Sequence, residues 1–279
     1  MRVGFITQLL WSRYGDLWTK LVTDAGLEPV YAADDAVRRA LTDVRLEAVS
    51  GTAFRLAAAQ ALALNADVIV APELNPGESA TRGGGQNAFI ADFPEALKAA
   101  LGALPPVIGV PASLAGEGLE SLVVSTLLNL THDPSLVRRT WERHRNLARA
   151  PRLPEPRWRV RPSEGGTLGV IGQPWLLGDA LVKRVVGERH FVSQHQLAPA
   201  LLQSEGRRVA ERLVSTDLEV LGAARFLGRK GSVEKLVIIA DETLSADAFL
   251  VAQVQKLVYK PLSVAFVQRL DQPDVLRPA

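Results

Sequence analysis

The chain contains no cysteine. That absence removes disulfides, thiolate nucleophiles, cysteine-ligated zinc and ordinary iron–sulfur ligation from consideration. Long apolar runs are missing as well, since no stretch of about 18 apolar residues is there to cross a bilayer. The N-terminus leads directly into a strand, without a basic region, apolar core and cleavage site. A soluble, cytoplasmic protein with no membrane partner is the expectation. Charge of one sign is scarce: 32 Lys and Arg against 30 Asp and Glu leave a formal net charge of +2. That balance is a poor nucleic-acid signature, so nucleic acid is not an expected partner. No GxxxxGK[ST] phosphate loop, GxSxG elbow or GxGxxG fingerprint occurs. Nucleoside-triphosphate hydrolysis, esterase chemistry and standard dinucleotide binding thereby lose their best signals. The histidines His132, His144, His190 and His195 have no metal-like spacing with carboxylates, and neither a metal nor a cofactor is expected.

What the chain does contain is the same α/β half twice. At 279 residues, 47% of them apolar, it is long enough for two domains with cores of their own. Arg2-Val3-Gly4-Phe5-Ile6 leads through a loop with Trp11 to Gly15-Asp16 and an apolar helix; Leu168-Gly169-Val170-Ile171 leads through Trp175 to Gly178-Asp179 and another. Asp67-Val68-Ile69-Val70-Ala71 ends at Pro72-Glu73, as Lys235-Leu236-Val237-Ile238-Ile239-Ala240 ends at Asp241-Glu242. Each half closes with one more apolar strand, at 106–110 and 262–267. Short, nearly continuous apolar strands suit parallel sheets covered on both faces. The expected fold class is α/β, with two flavodoxin-like (Rossmann-like) lobes related by internal duplication and a connecting helical layer.

The first half predicts strands at 2–7, 28–32, 67–71 and 106–110, a helix near 15–25, and helices in 35–46 and 51–65. Gly26 reads as a residue just past a helix end and Asp34-Asp35 as capping residues. Residues 113–148 predict an apolar helix at 119–130 and a charged one at 136–148. Between 149 and 166 the composition turns to Pro, Arg, Glu and Gly, which reads as a linker. Its Arg149, Arg152, Arg157, Arg159 and Arg161 fit either a solvated linker or contact with an acidic partner. The second half predicts strands at 167–172, near 190–192, at 235–240 and 262–267, with helices at 179–186, within 196–228 and at 245–257. Residues after Asp271 have little to pack and are expected to trail along the surface. The expected domains are therefore 1–112, the helical layer 113–148, the linker 149–166, and 167–279.

In open parallel sheets, ligands sit beyond the carboxyl ends of the strands, close to helix N-termini that attract anions. Loops 7–16 and 172–179 occupy that position, offering Thr7, Gln8, Trp11, Ser12, Arg13 and Tyr14 in one lobe and Gln173, Pro174 and Trp175 in the other. A helix terminus gives an exposed anion only about 0.3–1 kcal/mol, so a side chain such as Arg13 would have to add to it. Trp11, Tyr14 and Trp175 serve equally as packing residues. Glu73 and Asp241-Glu242 follow the third strand of each half, where carboxylates can act as acid or base, hold a polar ligand, or cap a helix. Asp16 and Asp179 read as caps in the same way, and Asn75 lies beside Glu73. Gly83-Gly84-Gly85-Gln86-Asn87, in a long loop between the third and fourth strands, can either converge its N–H groups on an anion or simply be flexible.

The run Val3-Gly4-Phe5-Ile6, followed by Leu9-Leu10, Tyr14, Leu17-Trp18 and Gly26, resembles the start of proteins related to the D-component of 2-hydroxyglutaryl-CoA dehydratase and the associated CoA-enzyme activase-like proteins. The order of later elements agrees, with Val170-Ile171-Gly172-Gln173-Pro174 opening the second lobe. The resemblance implies two flavodoxin-like lobes that hold an iron–sulfur cluster by cysteines in segments near Ser50-Gly51, Gly85-Gln86 and Thr243-Leu244. None of these contains a cysteine. The expectation is a cluster-less homologue that binds a small anionic, acyl-CoA-like ligand in a cleft between the lobes. Gln8, Trp11, Arg13, Tyr14, Glu73, Asn75, Gln86, Gln173, Trp175, Asp241 and Glu242 are its candidate binding residues. The alternative is a structural or regulatory subunit, a homo-oligomer or a partner's companion, docking through Leu122-Val123-Val124, Leu127-Leu128 and Leu130.

Overall fold

Each half of the chain builds one four-stranded sheet in which every neighbouring pair is parallel. The computed structural model describes residues 1–76, 82–114, 118–149, 153, 156–158, 166–210 and 212–267. Most of the 149–166 linker and the tail after Asp271 lie outside the described residues. Two compact units take their described residues from Met1–Val49, Phe54–Pro76 and Asp92–Pro151, and from Ser50–Ala53, Gly77–Ala91 and Arg152–Ala279. The second unit thus takes two short pieces of the first half of the chain as well as the described residues from 153 onward.

In the first unit the strands β1 (Arg2–Phe5), β2 (Glu28–Tyr31), β3 (Val68–Glu73) and β4 (Val107–Pro111) stand in the order β2-β1-β3-β4. The central β3 is buried along nearly its whole length, which is why it reads as Val-Ile-Val-Ala without polar alternation. Helix α1 (Trp11–Asp24) buries Tyr14, Leu17, Trp18, Leu21 and Val22, the i, i+3, i+4, i+7, i+8 stripe of an amphipathic helix. Fully burying each large member of such a stripe contributes about 1.5–3 kcal/mol. Gly26, at φ +73°, ends the helix as expected, with its N–H on the Thr23 carbonyl and the Leu27 N–H on that of Val22. Helices α2 (Asp34–Ala40) and α3 (Thr52–Ala63) follow. Asp34 and Asp35 do not cap α2: its N-cap is Ala33, and the two acids occupy the first turn instead. Asp16 is no cap either, because α1 begins five residues earlier and Asp16 pairs with Lys20 one turn on.

The expected long loop between β3 and β4 contains two helices, α4 (Ala88–Ala91) and α5 (Phe93–Leu101). The start signal of α5 was written in the chain: the Asp92 carboxylate accepts from the Glu95 N–H, with proline in the first turn. Helices α6 (Leu119–Thr131) and α7 (Pro134–His144) form the helical layer. Asp133 caps α7 by accepting from the Ser135 and Leu136 N–H groups, and Arg143 and His144 both bind Asp24 at the end of α1.

The second unit repeats the order as β6-β5-β7-β8, from β5 (Thr167–Gly172), β6 (Phe191–Ser193), β7 (Val233–Ala240) and β8 (Leu262–Phe266). Helices α8 (Asp179–Val186), α9 (Pro199–Arg207), α10 (Ser215–Gly228) and α11 (Ser245–Leu257) surround it. Asp179 opens α8 without a capping bond, Gly178 being the N-cap. Helices α9 and α10 approach closely through glycine: a Cβ on Gly222 would lie 1.8 Å from the Leu202 carbonyl oxygen. Within the linker, Trp158 is anchored against Phe226, with the Lys230 ammonium over both rings.

Candidate functional site: the carboxyl edge of the second sheet

The order β6-β5-β7-β8 reverses direction between β5 and β7, and the crevice beyond their carboxyl ends is where open parallel sheets receive ligands. Gln173 follows β5 and Asp241 follows β7. Asp217 arrives from the first turn of α10 and Asp247 from that of α11, and all four side chains are buried. Burying carboxylates is costly unless donors surround them. Asp217 Oδ1 accepts from Gln173 Nε2 at 2.8 Å and its Oδ2 from the Gly84 N–H at 2.7 Å. Asp241 Oδ2 accepts from the Thr52 N–H at 2.6 Å, and its Oδ1 from the Thr243 N–H and hydroxyl at 2.9 and 2.5 Å. Asp247 Oδ2 accepts from the Asp241 N–H at 2.6 Å, whereas its Oδ1 is buried without a partner among the described residues. Burial lifts the Asp247 carboxyl from its ordinary 3.8 to about 7; the Asp241 N–H opposes the rise, and the Asp241 and Asp217 carboxylates add to it.

Asp241 therefore does not cap α11, whose N-cap is Leu244; it closes its own turn and holds the start of α3. Glu242 is exposed and takes no part in the network. Of the three glycines, Gly84 donates its N–H to a carboxylate, the protein's own Asp217. Gln86 ends this 3-10 turn (Gly83–Gln86) exposed. Trp175 packs against Phe89 at 6.1 Å between ring centroids, with Leu176 and Leu177 buried behind it, which is the packing alternative for that residue.

Beside this network lies a groove of about 620 Å³, within the usual range of small-ligand sites. Arg82, Arg212 and Lys256 line it as exposed cations, and Leu213, Leu221, Phe249 and Leu257 supply apolar surface. No carboxylate lines it among the described residues. These residues escaped sequence reasoning because they come from four separate stretches, none with a motif of its own. The one available signal was Asp217 and Glu219 set within the apolar run of α10, an arrangement that requires buried partners.

The first-unit candidates assemble differently. Trp11 packs with Phe5 and Tyr14, each at 5.2 Å, and with Tyr31 at 6.2 Å. The Tyr14 hydroxyl donates to the Ile6 carbonyl, and burial pushes its pKa well above the usual value. Tyr14 is core, and Trp11 packs half-buried against it. Arg13 sits half-buried in the first turn of α1, and Gln8 and Asn75 are buried. The Glu73 carboxylate lies across Gly109 of β4, its pKa raised first by burial and then by Asp92. Leu9 and Leu10 take positive φ values of 61° and 73° between β1 and α1, a conformation that non-glycine residues hold only when their surroundings impose it.

The segments in which the resemblance places cluster thiolates offer other chemistry. The Gly51 N–H donates to the Thr243 hydroxyl at 3.1 Å, and Leu244 packs where a Gly51 side chain would stand. A hydroxyl, backbone groups and a leucine do not fit an iron–sulfur cluster. Among the described residues no group of three or more His, Asp or Glu is placed to hold a metal ion, and no helix is long and apolar enough to cross a membrane. Set against known proteins, the chain matches no family model, no curated protein and no solved structure.

Proposed function

We propose that the second unit binds a small anionic ligand with an apolar portion, of the acyl-CoA class, without iron–sulfur redox chemistry. One observation carries the reading: a groove that combines Arg82, Arg212 and Lys256 with Leu213, Leu221, Phe249 and Leu257, uncompensated by any carboxylate among its described lining residues. Cations supply attraction to phosphate or carboxylate groups, and the apolar wall rewards an acyl chain at about 25 cal/mol per Å² buried. The N-terminal resemblance to CoA-thioester proteins is in keeping with such a ligand. The Asp217 and Asp241 carboxylates are engaged by backbone, hydroxyl and amide donors, which suits these two to shaping the site more than to proton transfer.

The test is calorimetric titration with butyryl-CoA, CoA and a neutral butyryl thioester. Butyryl-CoA binds most tightly, and binding weakens with salt because the cations are exposed. Replacing Arg82, Arg212 and Lys256 together by alanine weakens it about 3–150-fold, at roughly 0.2–1 kcal/mol per exposed pair. Equal binding of the charged and neutral thioesters, or none, would refute the reading.

A second reading, a subunit acting through protein contacts, is favoured by a groove of about 360 Å³ between α6 and α7. Val124, Leu128, Pro134, Val137 and Trp141 line it, edged by Glu120, Arg138 and Glu142. Sedimentation of the wild type and Leu128→Asp tests it: a larger species lost in the variant supports the role, and identical monomers oppose it.

A further inference from the structure

We infer that Asp217 is a positioning residue for ligand recognition: from the interior it fixes the Gly83–Gly84 turn so that Arg82 stands at the groove. The inference rests on the groove being the ligand site.

The geometry runs outward from the buried end. Asp217 is fully buried, and its two oxygens reach different elements: Oδ1 the amide of Gln173 beyond β5, Oδ2 the N–H of Gly84. Gly83 has φ +61°, a conformation that favours glycine, and a Cβ there would fall 2.4 Å from Asp217 Oδ2 and 3.1 Å from the Phe249 ring. Conformation and space therefore both require glycine, and the turn lies flush against the carboxylate and against a wall of the groove. The Asn87 N–H closes the turn on the Gly84 carbonyl, and that of Ile90 bonds the Asn87 carbonyl, so the segment is held beyond the turn as well. Arg82 is the residue immediately before it, extended at φ −142° and ψ 161°, and exposed. A long cationic side chain loses rotamer and backbone freedom when it binds an anion; anchoring the adjoining turn in advance reduces that loss. Both partners that Asp217 binds through these bonds are donors, so a carboxylate satisfies them with no proton of its own. An asparagine also fits if the Gln173 amide turns over, because Gln173 Oε1 has no other partner among the described residues.

These relations give a double-mutant cycle with butyryl-CoA as the probe. Arg82→Ala weakens binding about 3–5-fold. Asp217→Ala weakens it by a similar factor, Asp217→Ala with Arg82→Ala is no weaker than either alone, and Asp217→Asn restores most of the affinity. Asp217→Ala combined with Arg212→Ala, by contrast, multiplies the two losses. Wild-type affinity in Asp217→Ala, or multiplied losses in the Asp217/Arg82 pair, would overturn the positioning role while leaving the groove as the site. Failure of the wild type to bind at all would overturn both. Hydrogen exchange on the wild type decides the matter even where Asp217→Ala does not fold. The Gly84 amide exchanges slowly before butyryl-CoA is added and no slower after; fast exchange slowed only by the ligand would mean that the ligand orders the turn.

Discussion

Replacing Asp247 by asparagine should remove a pH dependence of stability written into the second unit. In the folded protein burial, helped by the facing Asp241 and Asp217 carboxylates and opposed by the Asp241 N–H, lifts the Asp247 carboxyl from its ordinary 3.8 to about 7. Between those values the folded state keeps a proton that the unfolded chain has released. Folding stability therefore falls as pH rises through that window, by at most about 1.4 kcal/mol per pH unit. The full effect, above pH 7, is at most about 4 kcal/mol. Asparagine keeps an acceptor for the Asp241 N–H and carries no charge at any pH, but it buries an amide where Asp247 Oδ1 has no partner among the described residues, at a cost of about 1–3 kcal/mol. The variant should accordingly be less stable than the wild type near pH 4.5 and should overtake it towards pH 8.5. Urea unfolding followed by tryptophan fluorescence, for both proteins across that range, yields the difference directly. Parallel stability curves from pH 4.5 to 8.5 would refute the reasoning, since they would mean that Asp247 is charged in the folded protein over the whole range.

Three further substitutions test the packing and the turns. Gly222→Ala places a Cβ 1.8 Å from the Leu202 carbonyl oxygen in α9, so the two helices must separate; unfolding in urea should register a loss of about 3 kcal/mol. Gly83→Ala strains a residue at φ +61° against Asp217 and should cost about 1–3 kcal/mol by the same measurement, with weaker butyryl-CoA binding. His132, exposed at φ 56° after α6, should accept glycine with a gain of about 0.5–1 kcal/mol, read as a higher thermal midpoint.

Helices 179–186 and 245–257 fall where the sequence places them, and so do all eight strands to within a few residues. Apolar runs bounded by Gly, Pro and charge are local signals, and local signals survive folding. The caps fared worse. Asp16, Asp34, Asp35, Asp179 and Asp241 all precede or open the helical stretches that the sequence predicts, yet none caps its helix. Whether a carboxylate bends back to its own helix depends on which donors compete for it: Asp241 is taken by Thr52 and Thr243, and Asp16 by Lys20. The site was legible in part. Gln173 and Asp241 read as candidates from their places after strands, and both lie just past the carboxyl ends of β5 and β7, but neither lines the groove. In the first unit Tyr14 is buried in the core, with Trp11 packed half-buried against it.

By itself the sequence determined the α/β class, the doubled strand pattern, the absence of thiol chemistry and the approximate places of the strands. The alternation of short apolar segments with amphipathic ones encodes these locally, and composition settles the rest. Only the tertiary structure decided which residues meet. Asp217 lies 133 positions from Gly84, and Asp241 189 from Thr52, yet each pair shares a short hydrogen bond inside one unit. No periodicity records such pairings. They follow from the need of each buried carboxylate for donors, met at Gly84 and Thr52 by backbone N–H groups that only the packing of these elements brings within reach.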